Sequence, residues 1–427
     1  MDQGKLTMYI IEPIANRILR RSMRSVLRFH DATGQSVPKA PSENERCLLY
    51  VHIPFCESLC PYCSFHRFVF DEQLARDYYR ALMREIHMYR DLGYRFTGMY
   101  VGGGTPTIVL DPLLELIHTA REELGVQEIS IETNPNHVYP SHLEPLRKAG
   151  VNRLSVGVQS FDDTILKAIG RFDKYGSGQE AFERLQQAAG MFDTLNIDLI
   201  FNMPLQNEKS LRHDLEMLDL LCADQATFYP LMTAPSVAAR LTETLGSINY
   251  KKEKRMYMLI LKHMRKTYQS STAWCFSRKA AMIDEYIIEY DSYVGVGSGA
   301  FGYFNDSIFI NTFNLNEYIE RVRGGHLPTG LVKQFTHRET LHYMLLMKLF
   351  ATELPKTFFE TERGRQFKKE LWPELTLLRL IGAVREKSDR FILTDQGRYL
   401  WVMAMREFFI GVDTMRDVCR KQASITE

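Results

Sequence analysis

The sequence predicts an α/β fold, a partial (β/α)6 barrel joined to a small winged-helix-like domain at its C-terminal end. Three observations carry this. Short β-like runs alternate with helical stretches from residue 47 to about 231, the signature of a parallel sheet built from βα units. The polar motifs fall where those runs end, as in sheets whose ligands gather at the C-terminal ends of the strands. Beyond about residue 331 the pattern changes to helices around a short β-wing.

The β-like runs are LLYVHI (48–53), TGMYVGG (97–103), EISIETN (128–134), RLSVGVQ (153–159), NIDLIF (196–201) and ATFYPL (226–231), with helical patterns between them near 72–92, 111–124, 141–149, 161–192 and 207–222. Six units are too few to close an eight-fold barrel, so an open one is expected. A polar helical stretch near 238–268 then leads into TAWCFSRKAAMIDEYIIEYDSYVGVGSGAFGYF, whose Gly295, Gly297, Gly299 and Gly302 predict a loop closing over the site. Without a βαβ setting, that glycine run is no dinucleotide fingerprint. RETLHYMLLMKLF (338–350) predicts a helix, and LRLIGAVREKSDRFILTDQGRYLWV (378–402) predicts helix, wing and helix. The wing balances acids and bases and has no arginine stripe, so this segment is expected to cap the barrel and bind no nucleic acid. The chain therefore divides into an arm and linker (1–46), a barrel with its extension (47–330) and a cap (331–427).

Composition agrees. The 427 residues are 45% hydrophobic and 25% charged with a net charge of +1, ordinary for a soluble globular protein and no argument for a polyanionic partner. The chain shows neither a signal-peptide pattern nor an apolar run long enough to span a bilayer, which predicts a cytoplasmic location. Residues 8–28 place Ile14, Ile18, Met23, Val26 and Leu27 near one helical face, and Arg17, Arg20, Arg21, Arg24 and Arg28 supply a basic one. Such a helix suits peripheral contact with an anionic bilayer at the inner face of the cell membrane, or docking on its own domain with a solvated basic side. Residues 31–46 are rich in turn formers and read as a linker.

The chemistry begins in YVHIPFCESLCPYCSFHRF (50–68), where Cys56, Cys60 and Cys63 fall in C-x₃-C-x₂-C spacing on a loop stiffened by Pro54 and Pro61. Thiolates this close suit a [4Fe–4S] cluster with one iron left open; the competing readings are packed thiols or a disulfide. Cys47, Cys222, Cys275 and Cys419 stand alone. After the second strand, GGGTPT (102–107) lets backbone approach a ligand closely, with N–H groups expected to meet its polar atoms. Glu132, Gln159 and Asp198 sit at or near strand ends, and Arg171 follows twelve residues after Gln159. Any one of them could be structural; together around one mouth they suit the amino, ribose and carboxylate groups of a zwitterionic nucleoside. His66 is either a proton shuttle or a histidine outside the site.

YVHIPFC, GGGTPT, GVQSF, NIDLIFNMP and LTDQGRYL, in that order, resemble the radical S-adenosylmethionine (SAM) superfamily and its coproporphyrinogen III dehydrogenase-like branch, from residue 47 to about 405. The resemblance implies a radical SAM barrel with two SAM molecules. Cys56, Cys60 and Cys63 would hold the cluster. Tyr50, Gly103 and Glu132 would meet the first SAM, and Tyr62, Gly104, Thr105, Gln159, Arg171 and Asp198 the second. The Arg171 to Asp198 interval departs from the family pattern by two residues. Within the branch, CPYCSFHRF, the WCFSR…DEYI run and the cationic helix resemble class C methyltransferases that act on C8 of menaquinone. That implies methyl transfer from SAM to an sp² ring carbon of a lipid quinone, with flavodoxin or ferredoxin as low-potential electron donor. The alternatives in the branch are oxidative decarboxylation or ring-opening methylation of a porphyrin or haem, and non-catalytic haem carriage.

Overall fold

The computed structural model describes residues 28–32, 40, 46–279, 290 and 292–425. The cationic segment 8–28, except its last residue, and the DEYI run (284–287) lie outside them.

Six parallel strands run in sequence order through one sheet: β1 (Cys47–Ile53), β2 (Gly98–Gly103), β3 (Glu128–Thr133), β4 (Arg153–Gln159), β5 (Thr194–Phe201) and β6 (Gln225–Pro230). Their near-continuous apolar character has a simple cause. Covered on both faces, a parallel strand has no solvent side on which to alternate polar residues, and six of the seven residues of β1 are buried. Leu49, Val51 and Ile53 enter the large core, where they meet Tyr78, Leu82 and Ile86 of helix α1 (Glu72–Asp91). That helix starts where the Asp71 carboxylate accepts the Leu74 N–H at 2.8 Å.

The sheet also holds a seventh parallel strand that the sequence pattern conceals. Residues Ser292–Val296 (β7) pair with β1, with Gly295 opposite Tyr50. Part of the glycine-rich stretch expected to be a loop over the site is therefore strand. Gly295 is there because a Cβ would run into the carbonyl of Phe301, which follows the turn at Gly297–Gly299. Antiparallel strands Phe301–Phe304, Ser307–Asn311 and Thr329–Gln334 extend this edge, and Thr329–Gln334 runs across residue 330. At the opposite edge Cys275–Ser277 lies antiparallel to β6. The whole is a 13-stranded sheet whose two edges do not meet among the described residues.

Past the sheet come α3 (His337–Phe350), α4 (Glu362–Leu380) and a three-stranded antiparallel sheet of Glu353–Pro355, Arg390–Leu393 and Val384–Glu386, the expected wing. Helix α5 (Asp395–Ile425) then runs 31 residues, about 46 Å at 1.5 Å per residue, back across the barrel. It is anchored to α2 (Tyr250–Met264): Arg406, fully buried, forms ion pairs with Glu253 and Glu407, and the Tyr399 hydroxyl donates to Glu253 Oε1 at 3.1 Å. Trp274, from the TAWCFSR run, is wholly buried and packs edge-on against Phe350 with ring centres 4.7 Å apart. That run builds the seam between barrel and cap. No described helix is long and apolar enough to cross a membrane.

Candidate active site

The first two strands set the cysteine loop. As β1 ends, Phe55–Cys56 pairs with Phe68–Val69, closing the loop into a compact lobe. Its backbone carbonyls are then held by cations from four places. The Arg67 guanidinium donates to Cys60 O at 2.6 Å and Cys63 O at 2.8 Å, Lys174 to Leu59 O at 3.3 Å, Arg240 to Pro61 O at 2.6 Å and Arg420 to Phe65 O at 2.9 Å. This collar positions the loop and sets positive charge beside sulfurs that become negative on ligation.

All seven cysteines are free thiols, and the disulfide reading lapses. Burial pushes the Cys56 thiol up to about 11 despite its Thr105 hydrogen bond, and raises Cys63 as well, so bare thiolates are disfavoured and ligation to iron is what would keep them ionised. Among the described residues no His, Cys, Asp or Glu group is arranged around a single ion. In a four-iron cluster each cysteine would hold a different iron, so the sulfurs need not converge on one point. Donors already reach the sulfurs: Thr105 Oγ1 lies 3.7 Å from Cys56 Sγ and Arg171 Nη1 lies 3.8 Å from Cys60 Sγ. The residues present fit the cluster.

Cys56, Cys60 and Cys63 share one cavity of about 350 Å³ with Tyr50, Tyr62, Gly103, Gly104, Glu132, Gln159, Arg171 and Asp198. Of the residues singled out for SAM, Thr105 alone is absent from its wall. It is 2% exposed, and its hydroxyl, bonded to Cys56 and accepting Asn134 Nδ2 at 2.8 Å, serves the cysteine loop from behind. A direct Thr105 contact to SAM is therefore corrected to an indirect one. The glycine loop is corrected too. Its amides are spent inside the protein: Gly103 N donates to Glu132 Oε2 at 3.1 Å, Gly104 N to Ile53 O at 2.7 Å and Thr105 N to Phe55 O at 2.7 Å. Glycine is needed at 104 because a Cβ would strike the Phe55 backbone. The loop is thus a seat for the cysteine lobe and offers those amides to no ligand.

The polar set is held in place. Glu132 accepts from the Tyr100 hydroxyl at 2.8 Å, and Asp198 accepts from Ser155 Oγ at 2.8 Å and Asn196 Nδ2 at 2.7 Å. Gln159 stands at a register shift in β4 with φ of 73°, a left-handed conformation in a non-glycine residue that turns its side chain out of the alternating pattern. Arg171 is 4% exposed and donates to Asn134 Oδ1 at 2.9 Å, the Tyr62 hydroxyl at 3.4 Å, the Gly157 carbonyl and the Cys60 sulfur, over the face of Tyr175. Among the described residues no carboxylate pairs with this buried guanidinium, a setting that suits an anionic group. His66 is 1% exposed and lies off the cavity wall, so it is no proton shuttle there.

Sequence reasoning missed the opposite wall. Phe408, Phe409, Val412, Asp413 and Arg416 of α5, with Tyr293, Phe301, Ile308 and Tyr343, close the cavity as a largely aromatic chamber. No motif marks these positions. They follow from the length of α5 and its course across the barrel mouth.

The profile of the radical SAM superfamily matches residues 50–218. Residues 50–218 form a radical SAM domain. The solved coproporphyrinogen III oxidase HemN of Escherichia coli, a radical SAM enzyme, superposes with a TM-score of 0.72 over 89% of this chain and 95% of its own, at 24% identity. A haem chaperone HemW of Bacillus subtilis is 28% identical over 365 residues, 82% of this chain and 96% of its own. An oxygen-independent coproporphyrinogen III oxidase of Bradyrhizobium diazoefficiens is 26% identical over 383 residues, covering 82% and 84%. The radical SAM fold is thereby shown, and with it a [4Fe–4S] cluster and SAM as cofactors, and the chain is similar to proteins of the coproporphyrinogen oxidase-like branch. The expectation of a menaquinone methyltransferase is overturned, because these relatives are named for haem and coproporphyrinogen. Of its three clues, the cationic helix, except its last residue, lies outside the described residues; the WCFSR…DEYI run lies outside them at DEYI and is packing at WCFSR; and CPYCSFHRF belongs to the cysteine lobe.

Proposed function

We propose that this radical SAM protein is an enzyme acting on a tetrapyrrole, a porphyrin or haem, held between the strand ends and α5. The single observation that carries the reading is the shared cavity: three free cysteines, a convergent polar set and an aromatic wall enclose the same space. A flat macrocycle with apolar faces suits such a wall. The haem and coproporphyrinogen names of the relatives support the same substrate class.

When bound, the cluster and SAM supply one-electron chemistry that no side chain can. In this reading Cys56, Cys60 and Cys63 hold the cluster. Tyr50, Gly103 and Glu132 bind one SAM, while Tyr62, Gly104, Gln159, Arg171 and Asp198 bind a second. Arg171 pairs with a carboxylate, and the carboxylates Glu132 and Asp198 accept from amino or ribose groups. Phe408, Phe409 and Tyr343 seat the macrocycle and exclude water, and a low-potential carrier such as flavodoxin or ferredoxin supplies electrons.

The test is anaerobic incubation of the cluster-loaded protein with SAM, a reductant and either coproporphyrinogen III or haem. Formation of 5′-deoxyadenosine is followed together with the mass of the tetrapyrrole. The expected result is SAM cleavage coupled to a changed tetrapyrrole mass. Tight tetrapyrrole binding with neither change would replace the enzyme by a haem carrier, and absence of binding would sink both.

A further inference from the structure

Behind the cavity a chain of buried hydrogen bonds settles the proton positions on two histidines. Ser298 Oγ donates to Thr312 O at 2.9 Å, so its oxygen accepts from His66 Nε2 at 3.0 Å, and His66 carries its proton on Nε2. The carbonyl of His66 lies 2.8 Å from His52 Nε2. A carbonyl only accepts, so His52 Nε2 bears the hydrogen. His52 is 2% exposed with no carboxylate bonded to it among the described residues, and burial of a charged ring without a counter-ion is costly, which leaves it neutral. Its Nδ1 is then a bare lone pair, and the Tyr50 hydroxyl 3.0 Å away must donate to it. The surrounding backbone is tied by the same scheme: the Tyr78 hydroxyl donates to His52 O at 2.7 Å and accepts from Ser298 N at 3.0 Å.

We infer that His52 is a positioning residue that makes Tyr50 a hydrogen-bond acceptor toward the cavity, so that Tyr50 selects an N–H or O–H donor of the bound ligand and disfavours its carboxylate. With its only hydroxyl hydrogen committed to His52 Nδ1, the Tyr50 oxygen has lone pairs to present and no proton. Arg171, which can only donate, carries the opposite preference on the same cavity, toward the second SAM, while Tyr50 acts on the first. The inference rests on the reading that SAM occupies this cavity.

Two substitutions separate this from a merely structural role. In His52→Asn the amide oxygen takes the place of Nδ1 and keeps the acceptor for Tyr50, while the tie to the His66 carbonyl is lost. In His52→Gln the amide nitrogen keeps that tie, while the acceptor for Tyr50 is lost. SAM dissociation constants of the cluster-loaded protein, measured by calorimetry, are expected to be near wild type for His52→Asn and roughly tenfold weaker for His52→Gln and for Tyr50→Phe, the cost of one hydrogen bond to a charged or strongly polar group. The double variant should bind no more weakly than Tyr50→Phe. The reverse order, with His52→Asn the weaker binder, overturns the inference. So do ¹⁵N spectra of histidine-labelled protein that place the His52 proton on Nδ1, a readout that needs no SAM. Failure of the wild-type protein to bind SAM at all would instead remove the proposed function, with the ¹⁵N pattern still judging the hydrogen-bond chain.

Discussion

The two walls of the cavity are built on different principles. The strand-end wall is polar, with Glu132, Arg171, Asp198 and the three cysteines held by named hydrogen bonds to neighbours and Gln159 turned by its left-handed backbone at a register shift. The α5 wall is largely apolar, and its side chains are placed by a helix anchored just before them in sequence, at the buried Arg406. Geometry on the first wall comes from short-range bonds at strand ends. On the second it comes from rigid-body placement of one long element. The first suits cofactors whose atoms must be fixed, and the second suits a substrate recognised by shape.

The largest expected effect breaks the strand-end wall outright. Cys63→Ala removes one of three cluster ligands, so iron content should collapse and SAM cleavage fall to background, with the fold kept because Cys63 lies on a loop held by Arg67. Retained iron and cleavage would show that Cys63 is not a ligand. Next, Arg406→Met strands the carboxylates of Glu253 and Glu407 without their cation in the interior. The cost should be about 3–5 kcal/mol, read as a lower denaturation midpoint, with tetrapyrrole binding lost before cluster binding as α5 loosens. An unchanged midpoint would mean the helix is held elsewhere.

A finer cut probes the aromatic wall alone. Phe408→Ala should weaken tetrapyrrole affinity by roughly tenfold while iron content stays at the wild-type level. Equal affinity in the variant would place the substrate elsewhere. The smallest effect concerns Glu85, buried behind the strand-end wall, where it accepts from Gly297 N at 2.8 Å, Tyr318 at 2.7 Å and Asn311 at 2.9 Å. Burial, opposed by these donors, pushes its carboxyl up to about 7 from 4.5. The native state then holds a proton that the unfolded state has released, so this contribution to stability is present below about pH 4.5 and is lost as pH rises to about 7. The pH dependence of the thermal midpoint, compared between wild type and Glu85→Gln, should show a steeper decline in the wild type, the remainder in the variant coming from groups such as Asp214, whose buried carboxyl is likewise raised to about 7. Parallel curves would refute it.

Legibility divided along the same line as the walls. Strands β1 to β6 could be read because strands buried on both faces must be apolar nearly throughout, and the cysteine lobe because its spacing is local. Strand β7 could not, since its partner β1 lies some 240 residues earlier and the glycines that suit its packing look like those of a turn. The amides of GGGTPT could not be assigned either: whether an N–H faces a ligand or Ile53 O depends on how the cysteine lobe sits against the loop. The quinone expectation failed for a related reason, because it leaned on the residues around the cysteines, an amphipathic sequence pattern and a WCFSR run that proves to be core, none of which reports on the substrate.

By itself the sequence determined the strands β1 to β6, the cysteine triplet and the polar residues at or near the strand ends, all of which follow from local period and spacing. Only the tertiary structure decided that Thr105 serves Cys56, that His52 directs the Tyr50 proton, and that α5 supplies the second wall. Each of these depends on contacts between residues far apart in the chain. Hydrogen-bond direction and helix placement are properties of such contacts, and no local pattern encodes them.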